Sequence, residues 1–182
     1  MRAPYVFSLS VVLGTALATA APLNAQARPM HEVQLADLRT MQDKYVGLAE
    51  AFAEDQYDWR PMEGVRSVRE VLILLTSEGL GFPTQWGASP PAGVNPDRAA
   101  EGARLQELPK AALVAELGRA FDHIVGTVAG MDDATRSQEI RFFGQQVSTS
   151  SAILMATGDM HEHLGQLIAY ARMNRIVPPW SQ

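Results

Sequence analysis

The chain has 182 residues, 47% hydrophobic and 19% charged, with no cysteine and a formal net charge of −5. That length and apolar content suit one ordinary domain with a buried core, and exclude both a multidomain machine and a wholly disordered chain. The missing cysteines exclude disulfides, thiolate metal sites and a cysteine nucleophile, and an acidic balance without a Lys/Arg block gives no electrostatic footprint for nucleic acid.

Residues 1–27 carry Arg2 as their one charge, then an apolar run from Tyr5 to Ala21, then Ala25-Gln26-Ala27 ahead of Arg28. A short positive start, an apolar stretch and small residues at −3 and −1 are what export machinery and signal peptidase read. The expectation is a signal peptide over 1–27 and a mature domain over 28–182, periplasmic or secreted, with no stable membrane span after cleavage. The competing reading is a membrane anchor, because the run is about as long as a short span requires. Ser8, Ser10 and Gly14 dilute it, and the small-residue site follows at the right distance.

Leu38, Met41, Tyr45, Leu48 and Phe52 recur at steps of three and four, which predicts an amphipathic helix over roughly 31–54. Ser67-Val68-Arg69-Glu70 is a capping box that starts a second helix, apolar without a break from Val71 to Leu75. Gly79, Gly81 and Pro83 are expected to weaken or kink it before Trp86. The run 87–97, with three Pro and two Gly, reads as a loop. A third helix follows Pro109 on the stripe Leu113, Leu117, Phe121, Ile124 and Val128, ending near Gly130. Residues 136–148 are polar and mixed, with no strand-length alternation between well-formed turns. The Ser/Thr cluster 148–151 offers N-caps for a fourth helix, which runs to about Asn174, a candidate for the left-handed cap position before Pro178-Pro179. Four helices sharing one core make an all-α bundle.

With Met160 as origin and about 100° per residue, Ile153, Ala156, Leu164, Leu167 and Ala171 cluster within about 40°, while Asp159, His163, Gln166 and Tyr170 line one flank. Asp159 and His163, four residues apart, can reach one cation, and a carboxylate with an imidazole suits Zn, Ni, Fe or Mn. Alternatively they form a hydrogen-bonded pair at the edge of the bundle. Neither His123 nor His31 offers an obvious third ligand. Trp59-Arg60-Pro61 is expected to hold the first interhelix turn, with Arg60 stacked on Trp59 or paired to a carboxylate. His161 and Glu162 are expected to face solvent or a partner subunit, and Met155 and Met160 to fill the core. No GxSxG, Walker-type loop or HExxH motif occurs, which removes the usual signals of serine hydrolases, nucleotide sites and zincins.

Over about 33–181 the sequence resembles the DinB-like family of bacterial four-helix bundles. The resemblance is carried by Tyr57-Asp58-Trp59-Arg60-Pro61, by Arg66-Ser67-Val68-Arg69-Glu70-Val71-Leu72, and above all by His161-Glu162-His163-Leu164-Gly165-Gln166 with Tyr170-Ala171-Arg172 and Val177-Pro178-Pro179-Trp180-Ser181. It implies an up-down-down-up bundle, commonly a homodimer, with a divalent metal held by three His: one on the second helix and an i,i+4 pair on the fourth. Those positions fall at Leu74, Asp159 and His163, so only His163 matches. The family's C-terminal Gly before the Pro-Pro tail is Arg175 here. Related members include thiol-dependent transferases and isomerases.

Two functions follow as expectations. The first is an exported bundle whose three-His centre has decayed, holding a metal (Zn, Ni or Fe) weakly or not at all. It would act as a non-catalytic binding protein for a small molecule or protein through a pocket between helices two and four lined by Leu74, Glu78, Gln166 and Tyr170. The alternative is a divalent-metal-dependent hydrolase or transferase using Asp159 and His163. Glu78, one turn beyond Leu74, or Gln166 would then complete the site.

Overall fold

A computed structural model describes residues 28–181, so the export segment expected at 1–27 lies outside the described residues. In chain order the elements are α1 (Met30–Ala51), α2 (Val68–Gln85), α3 (Arg98–Gln106), α4 (Lys110–Gly130), α5 (Asp133–Ser137), β1 (Glu139–Phe142), β2 (Gln145–Ser148) and α6 (Thr149–Met173). The four long helices α1, α2, α4 and α6 form an up-down-down-up bundle. Helices α1 and α2 each pack on both α4 and α6 and stand diagonally across the core. Among the described residues no helix is long and apolar enough to cross a membrane.

The predicted stripes are the core. Leu38, Met41, Tyr45 and Leu48 of α1 and Leu113, Leu117, Ile124 and Val128 of α4 are fully buried, each such side chain contributing about 1.5–3 kcal/mol by leaving water. Helix α1 stops at Ala51 rather than near 54, because Phe52 turns extended and drops its ring into the core. The capping box forms as predicted: the Glu70 N–H donates to Ser67 Oγ at 3.2 Å and the Ser67 N–H to the Glu70 carboxylate at 2.7 Å.

Helix α2 continues through Gly79, Gly81 and Pro83 to Gln85 instead of weakening there. Gly79 has a packing reason: a Cβ built on it would lie 3.0 Å from the Cβ and the carbonyl oxygen of Ala120, so its bare backbone lets α2 and α4 approach.

The fold differs from the sequence expectations in further places. Residues 98–106, between the predicted loop and the helix after Pro109, form α3, capped by Asp97 accepting from the Ala100 N–H at 2.9 Å. The segment 136–148 contains an antiparallel hairpin pairing Ile140 with Val147 and Phe142 with Gln145. Its two-residue turn, Phe143-Gly144, has positive φ at both positions (44° and 78°), as a type I′ turn requires. Phe142 anchors the hairpin on α2 through an edge contact with Phe82 at 5.2 Å. Lastly, Asn174 keeps φ −90°, and Arg175 takes the left-handed position at φ 60°. The Ile176 N–H reaches the Ala171 carbonyl at 2.8 Å and the Arg175 N–H that of Arg172 at 3.0 Å, a Schellman closure on a residue other than glycine.

Candidate metal centre

Helices α2 and α6 face each other across one flank of the core and bring Glu78, Asp159 and His163 together. A carboxylate oxygen from each acid and a ring nitrogen of His163 all lie within 4.8 Å of one another. Ligand atoms bound at about 2.1 Å to one ion sit at most about 4.2 Å apart, so small side-chain adjustments close the group. His163 Nε2 is 4.0 Å from Asp159 Oδ2 along α6. Leu74 leaves the second-helix His position without a donor, and Glu78, one turn further along α2, supplies one. Glu78 is 6% exposed, and its Oε2 is buried with no hydrogen-bond partner. A buried carboxylate oxygen left without a donor is costly, and a cation is the partner its geometry fits.

The flank residues fix the imidazole. The Tyr170 hydroxyl donates to the Arg66 carbonyl at 2.9 Å, and Gln166 Nε2 donates to that hydroxyl at 2.8 Å. The Gln166 amide is thereby oriented with Oε1 toward His163 Nδ1 at 3.2 Å. A carbonyl oxygen only accepts, so Nδ1 carries the proton and Nε2 presents its lone pair to the two acids. This is the tautomer a metal-binding imidazole needs, held by an outer partner. Trp59 packs edge-on against Tyr170 at 5.3 Å and braces the far end of the chain.

Burial, then the Asp159 charge, push the Glu78 carboxyl up to about 8, with Arg98 and Arg66 pulling the other way. Without a cation, burial beside the Asp159 carboxylate favours the protonated form of Glu78. Burial, reinforced by the same two carboxylates, keeps the Tyr45 phenol protonated; it donates to the Met160 carbonyl beneath the site.

A cavity of about 330 Å³ adjoins the centre through Glu78, which is part of its lining. Of the four residues expected to line a pocket, only Glu78 lines this one, with α3 and the 87–97 loop forming its outer wall. Gln166 and Tyr170 are engaged in the hydrogen-bond chain instead, and Leu74 is half-buried on α2. Arg60 pairs with Glu70 at 3.4 Å rather than stacking on Trp59. His161 bridges to Asp37 of α1 at 2.9 Å, Glu162 is exposed, and His123 and His31 stand away from the centre.

The sequence model of the DinB superfamily matches residues 37–167. The chain belongs to the DinB superfamily. Among solved structures it is similar to a DinB-like protein from Bacillus subtilis, with a TM-score of 0.60 and 19% identity over 82% of this chain and 97% of that one. It is also similar to the mycothiol-dependent maleylpyruvate isomerase (TM-score 0.60, 19% identity) and to a point mutant of that enzyme (TM-score 0.63, 17% identity). In both comparisons the match takes in 76% of this chain and 60% of the isomerase. At these identities the likeness is one of fold. No protein of curated function matches the sequence.

Proposed function

We propose that this DinB-superfamily bundle is a divalent-metal-dependent hydrolase or group-transfer enzyme whose ion is held by Glu78, Asp159 and His163. The observation that carries this is the orphaned, buried Oε2 of Glu78 within reach of a carboxylate and an imidazole lone pair. Two carboxylates and one imidazole suit Zn, Mn or Fe. A cation with open positions supplies Lewis acidity or a bound water of lowered pKa. The protein's own part is to orient His163 through Gln166 and Tyr170, to hold the two acids side by side, and to offer Glu78 to the adjoining cavity.

The other reading, a decayed centre serving as a non-catalytic binding protein, is supported by Leu74 in the second-helix ligand position. It loses its premise once Glu78 is counted as the donor from that helix. The two readings separate in a zinc titration of chelator-treated protein. The enzyme reading expects one ion per chain in wild type, with affinity lost in His163→Ala and in Glu78→Gln. Equal affinity in wild type and Glu78→Gln would return the site to the decayed form. Export and homodimerisation are part of the same proposal. N-terminal sequencing of the protein recovered outside the cytoplasm should begin at Arg28, and light scattering should give twice the chain mass.

A further inference from the structure

We propose that the cavity beside Glu78 receives a carboxylate on a compact apolar body, and that Arg98 is the residue that pairs with that carboxylate. The inference rests on the metal reading of the adjoining centre and names the substrate class it serves. Its volume of about 330 Å³ lies at the small end of ligand pockets. Leu80, Phe82, Pro90 and Val94 give it an apolar lining, and Arg98 is the one cationic side chain on its wall.

Arg98 is exposed at the wall and makes no ion pair among the described residues. The acid on the wall other than Glu78, Glu101, is already used. Its carboxylate takes Arg104 at 2.6 Å and the Asn95 N–H at 3.0 Å. With a divalent ion balancing Glu78 and Asp159, the guanidinium is left as the uncompensated charge of the chamber. A planar fork of donors suits a carboxylate, and the apolar walls suit its body.

The wall is built in advance. Asn95 is tied to Glu101, its side chain accepts from the Asp97 N–H at 3.0 Å, and Arg119 holds the Ala92 carbonyl at 3.2 Å. A chamber with its loop already pinned loses little freedom when a ligand enters.

Calorimetry on the zinc-loaded full chain with hexanoate, hexanol and hexyl phosphate tests this. Hexanoate should bind more tightly than either analogue, and Arg98→Gln should weaken it by about tenfold or more. The same variant should leave zinc stoichiometry and hexanol binding as they were, with Arg98→Lys intermediate. Val94→Phe, which narrows the chamber with Arg98 intact, should also weaken hexanoate. Hexanoate binding that ignores Arg98→Gln, a preference for hexyl phosphate, or no binding to wild type would each overturn the assignment. If wild type takes up no zinc, the metal reading fails by itself, and the chamber is judged on the zinc-free chain. Arg98-dependent hexanoate binding there supports the chamber, and its absence overturns it.

Discussion

Replacing Glu78 with glutamine isolates the buried group whose ionisation opposes the fold. In the metal-free protein its carboxyl is pushed from an ordinary 4.5 up to about 8, first by burial and then by the Asp159 charge. Between those values the unfolded chain has released the proton and the folded chain keeps it. Unfolding stability therefore falls as pH rises, by about 1.4 kcal/mol per pH unit. The contribution is fully present below the unfolded pKa and is lost as pH passes through the folded one. Across the window it amounts to at most about 5 kcal/mol.

Glu78→Gln keeps the shape of the side chain and removes the titration. Thermal melts of chelator-treated wild type and variant from about pH 5 to about pH 9 should diverge, wild type losing ground at the alkaline end. In a domain of this size each kcal/mol moves Tm by roughly 2–4 °C. Parallel curves for the two proteins would refute the account of a buried Glu78 that keeps its proton in the fold. Zinc at about 100 times its Kd should restore about 2.7 kcal/mol to wild type, with nothing comparable in the variant.

Gln166→Leu removes the acceptor that holds the His163 tautomer, and metal affinity should drop about 10–100-fold with the fold intact, as read by competition against a chromophoric chelator. Gly79→Ala places a methyl 3.0 Å from the Ala120 carbonyl oxygen and Cβ and should destabilise the bundle by about 1–3 kcal/mol in denaturant unfolding; an unchanged midpoint would show that α2 and α4 can part freely. Arg175→Gly relieves a left-handed residue at φ 60° inside an otherwise satisfied Schellman closure, and should gain about 1 kcal/mol with a correspondingly higher Tm.

The stripes of α1 and α4 were legible because each helix buries one face, and a 3.6-residue period records that directly. The α6 flank of Asp159, His163, Gln166 and Tyr170 was legible for the same reason, being a second line on the same wheel. The hairpin was not: its turn is Phe143-Gly144 rather than Asn-Gly, and of its strand residues only Phe142 is buried, so alternation is faint. Asp97 ahead of a run of good helix formers was a usable signal for α3. Glu78 could be placed on the face of Leu74, but whether its carboxylate meets α6 depends on how α2 is rotated against that helix. Tyr170 reaching the Arg66 carbonyl is a contact across the tertiary fold that no local period encodes.

Moving the second-helix donor from position 74 to Glu78 changes more than its place along α2. One turn is about 5.4 Å of rise, and a longer acidic side chain spans part of that while exchanging a neutral imidazole for a charge. Three imidazoles would leave a divalent ion its full charge and make the ion itself the attraction for an anionic substrate. Two ionised carboxylates and one imidazole bring the same ion to neutrality, so the pull on an anion must come from elsewhere in the wall. Arg66 and Arg98 are the cations whose fields reach Glu78, and of these Arg98 lines the adjoining cavity. A centre that has exchanged an imidazole for a carboxylate therefore depends on a guanidinium for the attraction that the ion would otherwise supply, and loss of Arg98 should weaken an anionic ligand while the ion stays bound.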